Sequence, residues 1–234
     1  MSIGYCVRRA IVAGACALWT ANAGAAIAQD AVEQFYKGRS ISMVVGSSAG
    51  GGYDTYARLL SRYFGANIPG NPSIVPQNMS GAGSNRAAGF IYGVAPKDGT
   101  TIGTVNNSIP LHQALGGQGV RYDASKFNWL GSTGTYNSVA IVWHTAGIRS
   151  VEDLTKKEVT LGGTGAGSSI VIYPQVMNKI LGTRFKIVLG YPGGSEINLA
   201  LERGEVAART NTWASTKAIS TPWLKDGKLF VVVQ

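Results

Sequence analysis

Apolar residues recur along this chain in two rhythms, and twice the same kind of loop joins them. A short apolar run, Ile41 to Val45, leads into the small-residue loop Gly46 to Asp54, after which Tyr56, Leu60, Tyr63 and Phe64 fall at i, i+4, i+7 and i+8. A second run beginning at Val159 leads through the loop Gly162 to Ser169 into Tyr173, Met177, Ile180 and Leu181 at the same spacing. The continuous runs predict buried strands and the spacing predicts helices with one apolar stripe, closed by Gly65 and Gly182. Each loop then ends at a helix N-terminus, where unpaired N–H groups and the positive dipole end favour an anion. Two such mouths point to one acidic ligand held between two domains.

The rest of the chain extends the pattern. Ser73 to Gln77, Thr101 to Val105, Val139 to Trp143, Phe185 to Leu189 and Leu229 to Val233 read as strands, and Asn85 to Tyr92 as a helix. Ser150 with Asp153 forms a capping-box pattern, and Ser195 can cap a helix carrying Ile197, Ala200 and Leu201 that Gly204 ends. Strands alternating with loops and helices predict an α/β fold with parallel-core sheets. Four small-residue loops, 46–54, 80–84, 104–108 and 163–169, follow predicted strands. In open parallel sheets such carboxyl-end loops line the ligand crevice. The expected division is a signal peptide over 1–28, domain I over 29–134, domain II over 135–210, and a return crossing into domain I over 211–234. Because the chain stops directly after an apolar strand, domain I is expected to be incomplete, lacking its C-terminal part.

Composition narrows the class. Arg8 and Arg9 precede the weakly apolar stretch Ala10 to Thr20, and Ala26-Ile27-Ala28 is a small-residue cleavage site, so export through a cleaved signal peptide to the periplasm is expected. Cys16 follows Ala13-Gly14-Ala15, a faint lipoprotein-like context that lacks the usual leading Leu. Both cysteines, Cys6 and Cys16, lie in this segment, so the exported part is held by its core and not by disulfides. The segment holds two of the 21 basic residues and none of the 12 acidic ones, so the charge falls from +9 to +7. No run of Lys or Arg exceeds two residues, which argues against nucleic acid as a partner. With two histidines far apart and no cysteine after the signal, neither a metal site nor a cofactor is expected.

One enzymatic pattern stands out. Gly46-Ser47-Ser48-Ala49-Gly50 matches the G-x-S-x-G nucleophile elbow between a strand and a helix, and Ser48, Asp123 and His144 follow the hydrolase chain order. The alternative is that Ser48 only lends a hydroxyl or turn geometry. No Lys-Ser or Lys-Thr follows Gly50 to Gly52, which excludes a nucleotide P-loop, and Gly163 to Gly167 is only a fragment of the dinucleotide fingerprint.

Several motifs carry a family likeness: Gly50-Gly51-Gly52-Tyr53-Asp54 with Ala57-Arg58, Gln77-Asn78 before Gly81-Ala82-Gly83, Ala95-Pro96-Lys97-Asp98-Gly99, and Gly190-Tyr191-Pro192-Gly193-Gly194. In this order the chain resembles the Bug-type extracytoplasmic solute receptors of tripartite tricarboxylate transporters. The resemblance implies a two-domain, type II periplasmic-binding-protein-like fold that closes on a small organic acid and presents it to the membrane subunits of the transporter. It implies a monomer that is not an enzyme. By that likeness Ser48, Ala49, Gly50, Gly51, Gly52, Tyr53 and Asp54 form the first-domain clamp, with Asp54 organising the loop because a second carboxylate would repel an acid. Thr164, Gly165, Gly167, Ser168 and Ser169 form the second clamp. Thr104, Asn106 and Asn107 would line the floor, and Tyr191 and Asn211 would contribute from the other lobe. Two departures matter: Ser47-Ser48 stand where many relatives carry a Pro- or Phe-containing loop, and the family continues past this C-terminus. A truncated receptor that no longer binds is therefore a further reading.

Overall fold

The computed structural model describes residues 30–234; the signal peptide and Cys16 expectations lie outside the described residues. Strands β1 (Ser40–Val45), β2 (Ser73–Asn78) and β3 (Thr101–Thr104) form a parallel sheet in the order β2-β1-β3. The central position of β1 explains the burial of Ile41, Met43, Val44 and Val45, since both faces of a parallel strand are covered. Helices α1 (Gly52–Tyr63) and α2 (Asn85–Gly93) follow β1 and β2, and α3 (Ile109–Ala114) follows β3. On one face of this sheet Ile41, Met43, Val45, Ala57 and Ile74 make a core, completed by Tyr53 and Phe64.

The second sheet has five strands in the order β6-β5-β7-β4-β8. These are β4 (Ser138–Trp143), β5 (Val159–Gly162), β6 (Phe185–Val188), β7 (Ala208–Thr212) and β8 (Leu229–Val233). The trio β6, β5 and β7 runs parallel, whereas β4 is antiparallel to both β7 and β8. Helices α4 (Val151–Lys156), α5 (Ser169–Ile180), α6 (Gly194–Glu202) and α7 (Trp213–Lys225) surround it. Two apolar clusters flank β4, one around Val142, Leu154 and Leu161, the other around Ile141, Leu201 and Leu229. The Ser150 capping box is present with both of its hydrogen bonds, and Gly182 and Gly204 have the positive φ of helix-ending residues.

Four expectations are corrected. The chain over 211–234 does not return to the first sheet: β8 pairs with β4, and its buried Leu229 joins the second sheet's core. The stripe of α1 is rotated from the one predicted. Tyr53, Ala57, Ser61 and Phe64 turn inward, while Leu60 and Tyr63 are 37% and 64% exposed. Small residues win the inner face because the helix lies close to β1, with the Ser61 hydroxyl on the Met43 sulfur at 3.6 Å. In α5 the buried positions are Val171, Ile172 and Pro174, while Ile180 and Leu181 are exposed. Pro174 offers no N–H to Ile170, and the freed carbonyl instead accepts the Thr210 hydroxyl at 2.9 Å, which ties α5 to β7. Gly65 does not end α1 with a left-handed turn, since the chain continues into a 3-10 turn over Gly65–Asn67. It is glycine because a Cβ would stand 2.1 Å from the Pro72 carbonyl oxygen.

Candidate functional site

The loops after β1, β2, β3, β5 and β6 all leave the carboxyl ends of parallel strands, and they meet one another across the two sheets. On the first side the loop Gly46 to Asp54 is braced by a carboxylate. Asp54 is 3% exposed; its Oδ2 accepts the Gly50 N–H at 2.9 Å and the Arg58 Nε–H at 2.8 Å, and its Oδ1 accepts Asn78 Nδ2–H at 2.8 Å. Asn78 Nδ2 also donates to the Ser47 carbonyl, which joins the β2 end to the loop. Gly50 supplies the positive φ, 77°, that brings its N–H round to the carboxylate. Asp54 therefore organises the loop, as the chemistry of the sequence suggested.

The floor is equally well tied. Tyr53 Oη accepts the Asn107 N–H at 3.1 Å, and burial pushes its phenol up to about 12. Thr104 ends β3, where its carbonyl accepts the Gly46 N–H. Asn106 is 4% exposed; with Ser108 Oγ 2.7 Å away, its Oδ1 accepts the Ser108 N–H at 3.1 Å and the Ser169 hydroxyl at 3.2 Å. That last bond crosses from the first sheet's loops to the second's.

More contacts make the same crossing. Ser108 Oγ donates to the Gly167 carbonyl at 2.6 Å, Ser195 Oγ donates to the Ala49 carbonyl at 2.8 Å, and Ser48 Oγ donates to Glu196 Oε2 at 2.6 Å. Gly51 faces the Gly194 amide, Gly52 lies against Ser215 of α7, and Gly165 lies on the Ala82-Gly83 backbone. Within the second loop, Thr164 Oγ1 donates to Ser168 Oγ, which donates to the Gly165 carbonyl.

Of the residues named from sequence, Ser48 to Asp54, Asn106, Gly165, Gly167, Ser168 and Ser169 converge at or directly behind this junction. Tyr191 and Asn211 do not join these contacts. The Tyr191 ring packs on the core around Leu201, and Asn211 Oδ1 accepts the adjacent Thr212 N–H. Sequence reasoning had Ser108 only as part of the loop 104–108, missed Glu196, and took Ser195 as a helix cap. The α6 N-cap is in fact Gly193, leaving both Ser195 and Glu196 free to reach the first loop. The signal was there in outline, since a polar pair follows a double glycine at the end of a strand.

Beneath α6 lies Arg209 of β7, 3% exposed. Its guanidinium donates to the Gly194 carbonyl at 2.7 Å and to Asn198 Oδ1, and burial pulls its pKa down to about 10, so it stays charged at neutral pH. Among the described residues it makes no ion pair.

The hydrolase pattern is not assembled. Ser48 Oγ meets Glu196 and Ser195; His112 Nε2 faces the Gln118 carbonyl, His144 packs beside Trp143, and Asp123 caps a 3-10 turn. The elbow match reflects a tight strand-to-helix loop to which neither His112 nor His144 is hydrogen-bonded.

Burial would raise the Asp54 carboxyl, but its bonds from Arg58, Gly50 and Asn78 outweigh this and hold it below the usual aspartate range. A folded value below the unfolded one, about 3.9, gives stability that is present above that pH and lost as pH falls through the folded value. Asp54→Asn should therefore lower the melting temperature at pH 7 and flatten its decline from pH 5 to pH 2. Parallel pH profiles for parent and variant would contradict this.

No family model matches the chain. A UPF0065 protein encoded in the gbd 5' region of Cupriavidus necator is 27% identical over 226 residues, covering 93% of this chain and 65% of that protein. Among solved structures, the periplasmic binding protein BugD superposes with a TM-score of 0.67 at 20% identity, over 84% of this chain and 65% of its own. MatC from Rhodopseudomonas palustris, with bound malate, reaches 0.70 at 21% identity, over 84% and 66%. The chain thus spans about two thirds of the length of these proteins. Its fold is the two-lobed α/β fold of periplasmic binding proteins, the fold class read from its sequence.

Proposed function

We propose that this chain is a periplasmic solute receptor, a Bug-type substrate-binding protein, that holds a small organic carboxylate between its lobes and presents it to the membrane subunits of a tripartite tricarboxylate transporter. The observation that carries the reading is the junction itself: loops from the carboxyl ends of parallel strands in both sheets bond directly to one another. It is supported by the malate in MatC, a protein of the same fold. Periplasmic export rests on the sequence over 1–28.

Binding here is a matter of differential affinity. A helix N-terminus contributes about 0.3–1 kcal/mol to an anion, and up to ~2 when partly buried, so affinity must also draw on several amides and hydroxyls and on desolvation. A ligand touching both lobes binds the closed form better than the open one and shifts the population toward it. One chain supplies both loops, which fits a monomeric receptor, and no step requires a cofactor or bond cleavage.

Isothermal titration of the full chain against small mono- and dicarboxylates tests the reading. Saturable one-to-one binding of at least one acid, with Kd near the micromolar range or about −8 kcal/mol, is expected. Failure of every acid to bind would contradict it.

A further inference from the structure

We infer that Glu196 sets the polarity of the ligand: the ligand's carboxylate faces the second loop, Thr164 to Ser169, and its far end, at the first loop, carries an ammonium group. The inference rests on the carboxylate-receptor reading and narrows it from small acids in general to amino-bearing monocarboxylates.

The two helix mouths, alike in sequence, differ in what already occupies them. In the first loop the Gly50 N–H is taken by Asp54 and the Ser48 hydroxyl by Glu196. Asp54 is balanced by Arg58 at 2.8 Å. Glu196 is not balanced: its Oε2 accepts the Ser48 hydroxyl at 2.6 Å and lies 3.0 Å from Ser195 Oγ, and among the described residues no cation lies within 4.0 Å of it. Its Oε1 accepts no hydrogen bond from the described residues, and the side chain is only partly buried. The second loop contains no acidic residue, and its bonds run to hydroxyls, carbonyls and the Asn106 amide.

A ligand carboxylate at the first loop would therefore meet a negative charge that makes no ion pair among the described residues, and would compete with it for the Ser48 hydroxyl. An ammonium would instead meet a carboxylate with a free acceptor oxygen, where a charge-assisted hydrogen bond is strong. The same side chain thus attracts one class of ligand and repels the other.

The test titrates the full chain, parent, Glu196→Gln and Glu196→Lys, with two series of increasing length. One runs from β-alanine to aminohexanoate, the other from malonate to adipate. The parent should bind its best amino acid at least about tenfold more tightly than its best dicarboxylate. Glu196→Gln should erase that preference and Glu196→Lys should reverse it. A parent that prefers a dicarboxylate, or a preference that Glu196→Gln leaves within about twofold, would overturn the inference while leaving the receptor reading intact. If neither series binds parent or variants, the receptor reading fails and the inference with it.

Discussion

Gly165→Ala should weaken ligand binding by about 5- to 150-fold while shifting the melting temperature by no more than ~3 °C. In the closed arrangement an added Cβ would stand 2.4 Å from the Ala82 carbonyl carbon and 2.5 Å from the Gly83 nitrogen, both backbone atoms of the other lobe. Carbon pairs are comfortable at about 3.5–4.0 Å, so the loops must part by about 1 Å or more. Gly165 has no positive φ, and alanine therefore fits its own loop without strain. The cost, about 1–3 kcal/mol for such overpacking, falls on the closed form alone, which is why affinity drops while each lobe stays folded. Titration and thermal melts on the same sample would check both halves. Unchanged affinity would mean that ligand is not held by this closure.

Arg209→Met should lower stability by about 2–4 kcal/mol, equivalent to roughly 5–15 °C in melting temperature. A buried cation without a carboxylate is costly, and an apolar replacement can be neutral or stabilising where the whole polar group is replaced. Here the partners remain. Removing the guanidinium strips donors from the Gly194 carbonyl and Asn198 Oδ1, and buried acceptors left unpaired cost about 1–3 kcal/mol each. Those acceptors lie within the first five residues of α6, whose Ser195 and Glu196 make the contacts to the first loop. Binding should therefore weaken together with stability, unlike in Gly165→Ala. A melting temperature unchanged or raised in Arg209→Met would refute the structural role assigned to the guanidinium.

Much of this architecture was legible in the sequence because it is written in short-range patterns. Leu229 to Val233 announces itself as a strand by continuity, Ile41 to Val45 by an apolar run broken only at Ser42, and the loops by their small residues. Which face of a helix is buried proved harder to read. Periodicity selects Leu60 and Tyr63, but close approach to β1 selects Ala57 and Ser61, and only the sheet decides between them. The pairing of β8 was invisible for a similar reason, since an apolar strand fits the edge of either sheet. At the junction, the loops over 46–54 and 163–169 were legible from their position after strands. Glu196 was not, because a glutamate in the first turn of a helix is the commonest bland arrangement for that residue. Its meaning comes from the Ser48 hydroxyl, 148 residues away in the chain.

The central claim is that one small acid is held by loops of both lobes at once. Hydrogen exchange of the backbone amides, followed with and without a saturating acid identified by titration, tests it most directly. The expected result is joint protection of 46–54, 106–108, 164–169 and 193–196 at a single ligand concentration dependence, lost in Gly165→Ala. Protection confined to one lobe, or centred elsewhere on the chain, would contradict the claim.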